Sequence, residues 1–415
     1  MLLAFGALAR VQGAAGLIPE TAAAAIHRAA MEVQIDASAL ADATGSNGVP
    51  VPALVAAFRR EMQAPEHAQF IHWGATSQDI MDTGLMLRLR RMRDGVSGTL
   101  RTLLHTLARL AEDHADTAMA ARTYGQQATP TSFGAMIAGW GAPLLGHHAG
   151  LKALEFPVSL SGAAGTASQL GPDPANLRAQ LARQLGLGDP GRTWHNDRTP
   201  VLALVQTLTA LSATLGRMGG DLAILTQSEL GEVTLSGAGA SSTMPQKQNP
   251  VVPNVLVALA RHVQGLGGTL TGAALHLSQR DGAAWFTEWL TLPQLCLSVA
   301  AQLERAVELA TQITANPARM AQNLAATHGL IHAESLSFAL ARRMPRPEAQ
   351  AQVKALCQRL ADQPAQTRGL ADLARETWPD LDPALFEPHH QMGTAPQDAR
   401  RFAAQARALP PEPAA

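Results

Sequence analysis

Ser241, Ser242, Lys247 and Asn249 fall close together in Gly237-Ala-Gly-Ala-Ser-Ser-Thr-Met-Pro-Gln-Lys-Gln-Asn-Pro250, a polar loop between two apolar segments of helical pattern. Two hydroxyls, an ammonium and a neutral amide donor at this spacing can meet an anion from several directions. Gly237 and Gly239, among small residues, leave the backbone free to open and close over a substrate, and Pro250 ends the loop and starts a helix. A plain connector has similar composition. Two further clusters bear on the choice. Phe70-Ile-His-Trp-Gly-Ala-Thr-Ser-Gln-Asp79 gathers His72, Thr76 and Ser77 around Gly74, with Asp79 placed to cap the helix that begins there. Arg122-Thr-Tyr-Gly-Gln-Gln-Ala-Thr-Pro-Thr-Ser-Phe-Gly134 sets Thr123, Gln126 and Gln127 before a Pro-Thr-Ser helix start. Read alone, each is a helix-capping turn. Arg280 adds a guanidinium able to pair bidentately with a carboxylate, although a surface arginine is the commoner outcome.

The run from Ser241 to Pro250, S-S-x-M-P-x-K-x-N-P, resembles the signature of the fumarase/aspartase superfamily, enzymes that add or eliminate a group beside a carboxylate. Gly74-Ala-Thr-Ser-Gln-Asp-Ile-Met-Asp-Thr83 and the stretch 122–134 are similar to the other two signature regions of that superfamily, in the same order. The resemblance implies an all-α fold of three helical domains with a long central bundle, and a homotetramer. It implies Ser241 and Lys247 as catalytic residues, with Thr76, Ser77, Thr123, Gln126, Ser242, Met244 and Asn249 around the substrate. His72 matches an active-site histidine of the adenylosuccinate lyase branch, and Arg280 joins the substrate-binding set on its chemistry.

Addition across a double bond beside a carboxylate passes through a dianionic, aci-carboxylate-like state, and stabilising that charge is the main task. Lys247 and Asn249, with donors from Thr76, Ser77, Thr123 and Gln126, are the groups to do it. The first serine of the pair moves the proton at the alpha carbon in the superfamily, and that position is Ser241. A serine is a poor base in water, so the loop must close over it. Two departures narrow the chemistry. Where many members have Thr-His and a downstream glutamate that interact, this chain has Thr123-Tyr124 and Asn254. An amine leaving group needs a proton donor of that kind, whereas a carboxylate, with a pKa of about 4, does not. GATSQDIMDTG, SGAAGT, SSTMPQKQNPV and the stretch 285–293 are, further, similar to bacterial 3-carboxy-cis,cis-muconate cycloisomerases over nearly the whole chain. That likeness implies lactone formation from a tricarboxylate in protocatechuate breakdown, with no metal or organic cofactor. Adenylosuccinate lyase or another superfamily lyase is the enzymatic alternative. A non-catalytic scaffold is the other, and intact Ser241, Lys247 and Asn249 argue against it.

The elements that must position these groups are long helices. The 415 residues supply large cores, and 32 basic against 33 acidic residues leave no overall field for nucleic acid or an anionic membrane. Cys296 and Cys357 follow no metal or redox spacing and fit a reducing cytoplasm. The opening residues lack a basic segment before their apolar run, unlike a signal peptide, and begin inside what looks like the family's first long helix. Leu204, Leu208, Leu211, Leu215, Met218, Leu222 and Leu225 alternate four and three apart, predicting a buried bundle helix rather than a membrane span. Residues 1–83 are expected as a small helical domain broken by Pro19, a loop at 44–50 and Pro65; 84–326 as the central bundle; and 327–415 as a smaller domain with a disordered tail. The glycines of 156–166 match no phosphate-binding spacing, which excludes nucleotide binding by that route. His195 and Arg198 lie in a loop before the heptad helix and suit the mouth of a bundle; the plainer alternatives are that they face solvent or cap that helix. Trp285 and Trp289, four apart, are expected in the core.

Overall fold

The computed structural model describes residues 1–237, 239–240, 243–244, 246–362 and 368–410. In chain order the helices are α1 (Leu2–Ala14), α2 (Glu20–Glu32), α3 (Ala41–Asn47), α4 (Val51–Met62), α5 (Pro65–Ala68) and α6 (Ser77–Asp113). A hairpin of β1 (Ala118–Thr123) and β2 (Gln126–Ser132) precedes α7 (Phe133–Ala153), α8 (Pro174–Leu185) and α9 (Thr199–Leu225). Then come β3 (Val233–Leu235), β4 (Gly239–Ala240), β5 (Gln248–Asn249), α10 (Val251–Ala273), α11 (Gly282–Gln312), β6 (Ile313–Ala315) and α12 (Pro317–Ala325). The chain closes with α13 (Ala333–Leu340), α14 (Arg346–Ala361), α15 (Leu370–Thr377) and α16 (Ala395–Arg407). Local chemistry sets several boundaries. Asp173 caps α8 by accepting the Asn176 N–H at 3.1 Å, Pro174 opens that helix, and Gly186 ends it at φ 62°. Asn316 caps α12 in the same way through Arg319 N–H at 3.1 Å.

Contacts divide the chain into two units. The first comprises Met1–Val96, Gly150–Leu208 and Gly265–Leu297. Its core gathers Phe5, Leu8, Ile26, Phe58, Leu160 and Leu170. Small residues bring α1 and α2 together: a β-carbon on Gly6 would stand 2.7 Å from that of Ala30, and one on Gly13 2.4 Å from that of Ala23. Arg198 is the polar anchor of this unit. Its guanidinium donates to both Asp82 oxygens at 2.9 and 3.0 Å and to both Glu288 oxygens at 2.9 and 2.7 Å, and it lies over the Trp194 ring at 4.9 Å. All three charged side chains are buried. The triad therefore ties α6, the loop before α9, and α11. The bundle-mouth expectation for Arg198 is corrected accordingly, because every direction of its fork is spent on protein carboxylates.

The second unit comprises Ser97–Ala149, Thr209–Gln264 and Ser298–Ala415. Close helix approach is again built on glycine: a β-carbon on Gly134 would lie 2.3 Å from the Ala111 carbonyl oxygen, and one on Gly219 2.5 Å from that of Pro253. Gly141 leaves room for the Phe402 ring, whose nearest atom would be 2.0 Å from an added β-carbon. A buried polar pair joins three helices: Ser212 Oγ donates to Gln302 Oε1 at 2.6 Å, while Gln302 Nε2 donates to the carbonyls of Ser212 and Leu256 at 3.1 and 2.8 Å. A separate core of Leu336, Leu340, Leu356, Leu360, Leu370 and Leu373 serves the last helices.

All seven seam residues of α9, from Leu204 to Leu225, are buried. The helix is long and apolar enough to cross a membrane by length and composition, but this seam is core. α11 runs through Pro293 to Gln312. Two local expectations change. Residues 41–47, within and before the expected loop, form α3. The second signature region is a β-hairpin rather than a plain capping turn, while the expected Pro-Thr-Ser helix start is present: Ser132 Oγ accepts the Ala135 N–H at 3.1 Å where α7 begins. Residues 411–415 of the expected tail lie outside the described residues.

Burial alone would lower the Arg198 pKa, but Asp82 and Glu288 raise it; burial pushes the Glu288 carboxyl up while Arg198 opposes that rise. Arg198→Met removes the cation and leaves two buried carboxylates without it, at an expected cost of about 3–5 kcal/mol in denaturant unfolding. A carboxyl whose folded pKa is raised stabilises the fold below its unfolded pKa and loses that contribution as pH rises. The deficit of Arg198→Met is therefore expected to be smaller at pH 5 than at pH 8, as read from unfolding midpoints at both values.

Candidate active site

In the first unit the signature loop is held by a carboxylate. Asp79, in the first turn of α6, is fully buried and accepts five hydrogen bonds: from the N–H groups of Thr76, Ser161 and Gly162 at 3.0, 2.9 and 2.9 Å, from Ser159 Oγ at 3.1 Å, and from His195 Nε2 at 2.8 Å. Asp79 is the third residue of α6 rather than its N-cap, and its bond from Thr76 N–H is the backward-reaching half of a capping box. Gly74 and Gly162 have φ of 69° and 73°, and a β-carbon on Gly74 would stand 2.3 Å from the Gln169 carbonyl oxygen. The glycine-containing segment 159–165 is an anion cradle after all, but the anion is this protein's own aspartate.

Thr76 and Arg280 come together above it. Arg280 Nε donates to Gln78 Oε1 at 2.7 Å, and its Nη2 reaches the Ala163 carbonyl at 3.1 Å and Thr76 Oγ1 at 3.5 Å. Ser77 opens α6 and is half-buried. A hydroxyl-and-guanidinium corner of this kind suits a carboxylate. His72 takes a different position. Its backbone is left-handed at φ 67°, its ring meets Phe5 edge-on at 5.8 Å, and its Nε2 is buried without a hydrogen-bond partner. Burial pushes its pKa down against an opposing pull from the Thr76 backbone, which favours a neutral imidazole.

In the second unit the hairpin presents Thr123 opposite Gln126, joined by Tyr124 and Gly125 at φ 52° and 76°. Two successive positive φ values make the tight turn whose twist matches a hairpin. Thr123, Tyr124 and Gln126 are exposed at its tip. Next to the turn, Arg122 donates at 2.8 Å to each oxygen of buried Glu232, which also accepts from Asn323 Nδ2 at 2.9 Å. Gln127 is tied to the Asn323 carbonyl at 3.2 Å.

Around the third signature region, Gly239 is paired to Asn249 and Ala240 to Gln248 in a two-stranded ribbon. A β-carbon on Gly239 would stand 2.8 Å from Val251 Cγ2. Lys247 N–H donates to the Met244 carbonyl at 3.0 Å, closing a turn that leaves both side chains exposed, while Asn249 is half-buried. Ser241 and Ser242 lie outside the described residues. Asn254 donates its amide to the Pro250 carbonyl at 2.8 Å. Among the described residues no group of three or more His, Cys, Asp or Glu side chains could hold one metal ion. Sequence reasoning placed His195 near a site without seeing its partner; the signal was an aromatic-histidine-arginine loop directly before a long core helix.

Comparison with known proteins follows the same lines. A family model described as lyase matches residues 2–265. The 3-carboxy-cis,cis-muconate cycloisomerase of Pseudomonas aeruginosa is 38% identical, over 98% of this chain and 91% of its own length. A nitrosuccinate lyase of Streptomyces davaonensis is 35% identical, over 95% of this chain and 88% of its own. The solved structure of 3-carboxy-cis,cis-muconate lactonizing enzyme from Pseudomonas putida matches with a TM-score of 0.89 at 35% identity, covering 98% of this chain and 93% of that one. The all-α, fumarase/aspartase-like fold expected from the signatures is the fold observed. With the three signature regions in order and the helical framework shared almost end to end, the chain belongs to the lyase family of the fumarase/aspartase superfamily.

Proposed function

We propose that the protein is a 3-carboxy-cis,cis-muconate cycloisomerase, interconverting that tricarboxylate and 4-carboxymuconolactone in aromatic catabolism. The observation that carries this is likeness over nearly the whole chain to enzymes of that name in both sequence and structure. In the lactonising direction a carboxylate oxygen bonds to one alkene carbon, the alkene pair shifts toward the carbon beside a second carboxylate, and that carbon then takes a proton. Charge accumulates on the second carboxylate before the proton arrives. Lys247 and Asn249 are assigned to that charge, Ser241 Oγ–H to the proton, and the Thr76–Arg280 corner to a substrate carboxylate, with Ser77, Thr123, Gln126, Ser242 and Met244 completing the binding set and His72 beside it. In the opening direction Ser241 is the base and the departing carboxylate needs no protonation.

Tyr124 and Asn254 favour this chemistry over amine expulsion. A phenol and a neutral amide do not reproduce a histidine–glutamate proton relay, and the Asn254 amide is engaged with its own helix. We also assign a homotetramer with each site drawn from three subunits. Leu290 and Leu297, seven apart on α11, are 71% and 72% exposed, and Val251 and Val255 on α10 are 51% and 37% exposed, as helix faces that pack against a second copy would be. A cytoplasmic location fits the two free cysteines, Cys296 and Cys357. The three-domain division at 83 and 326 belongs to the same reading.

Ser241→Ala and Lys247→Met are each expected to lower kcat at least ~100-fold with an unchanged circular dichroism spectrum, as for loss of proton transfer or charge stabilisation; a near-normal kcat removes that residue from the mechanism. Followed by absorbance with one enzyme preparation, 3-carboxymuconate should turn over while adenylosuccinate reacts poorly or not at all, and the reverse pattern overturns the substrate assignment. Light scattering at assay concentration should give the mass of four chains, and a fully active monomer contradicts the shared site.

A further inference from the structure

His195 stands outside every role assigned so far, yet it closes a circuit. Its Nε2 lies 2.8 Å from Asp79 Oδ1. Its backbone carbonyl accepts from Gln78 Nε2 at 2.8 Å, Gln78 Oε1 accepts from Arg280 Nε at 2.7 Å, and Arg280 Nη2 reaches Thr76 Oγ1 at 3.5 Å. Thr76 N–H returns to Asp79 Oδ2 at 3.0 Å. Three segments far apart in sequence thereby meet in one ring of hydrogen bonds within the first unit. The direction of each bond follows from chemistry. A carboxylate oxygen accepts, so His195 Nε2 is the donor, while Nδ1 is buried without a hydrogen-bond partner.

We propose that His195 is a positioning residue for substrate binding. As a donor it holds Asp79 in its cradle, and Asp79 with Gln78 in turn fixes Thr76 beside Arg280. This rests on the assignment of Thr76 and Arg280 to the substrate. Without the donor, Asp79 Oδ1 loses one of three bonds in a site closed to water, and the backbone of 76 and 161–162 is free to shift. Distortion at that corner weakens carboxylate binding before it touches proton transfer at Ser241.

The test uses the full-length enzyme and two variants of similar size. His195→Leu removes the donor, whereas the side-chain amide of His195→Gln can place an N–H near the position of Nε2. For 3-carboxymuconate, KM is expected to rise about tenfold in His195→Leu with kcat within about threefold of the parent, and to return to within about threefold in His195→Gln. Hydrogen exchange in peptides covering 74–79 and 159–165 should accelerate in His195→Leu and recover in His195→Gln, and this holds whatever substrate the enzyme uses. Exchange restored with KM unmoved in both variants overturns the binding role and leaves the circuit; parental exchange in His195→Leu overturns the circuit itself. A folded His195→Gln as defective as His195→Leu in both measurements, or a loss confined to kcat, also overturns the proposal. Failure of the parent enzyme to turn over the muconate, with the exchange pattern as expected, falls on the proposed reaction rather than on His195.

Discussion

A buried carboxylate must be supplied with hydrogen-bond donors or the fold pays several kcal/mol for it. Asp79 meets that demand with three backbone N–H groups, a serine hydroxyl and an imidazole. Because those donors come from the signature turn, the segment 159–162 and the loop before α9, satisfying one charge fixes the relative placement of three stretches that sequence separates widely. Thr76 and Arg280 inherit their geometry from this arrangement. The orientation of a binding corner is here a by-product of satisfying a buried anion.

The same constraint sorts the cations. Arg198 faces Asp82 and Glu288, and Arg122 faces Glu232, each with bidentate geometry and little or no exposure of the carboxylate partner. These guanidiniums are structural, although both occur within or beside segments that read as functional. Lys247 instead stands exposed on a ribbon, and Arg280 is held by neutral partners, Gln78, Thr76 and the Ala163 carbonyl. A cation whose neighbours are neutral keeps its charge available for an incoming anion, whereas one paired in a dry interior has already used it.

Small residues do complementary work. Gly6, Gly13, Gly134, Gly141 and Gly219 admit a neighbouring backbone or ring where a β-carbon would not fit. Interhelical distances are thereby short, and the polar interior pairs, such as Ser212 with Gln302, reach across them. The hairpin turning at Tyr124 and Gly125 and the pairing of Gly239 and Ala240 with Asn249 and Gln248 then extend from this framework as short paired strands.

Apolar periodicity in the sequence by itself determined the buried seam of α9, and runs of specific side chains carried the resemblance that implied the helical class and ordered the three signature regions, because both are local properties of the chain. Spacing also marked Thr76, Lys247 and Asn249 as polar groups beside helix starts. Only the tertiary structure decided what each charge is for. Arg198 and Arg280 are alike as letters; one is sealed between two carboxylates and the other stands beside a hydroxyl, and the partners that make this difference lie 90 or more residues away. The pairing of His195 with Asp79 spans 116 residues and leaves no local trace. The hairpin at 118–132 escaped for a related reason: its strands are short and mixed in burial, so no alternation announces them, and they hold their shape through Arg122 and Glu232 across 110 residues.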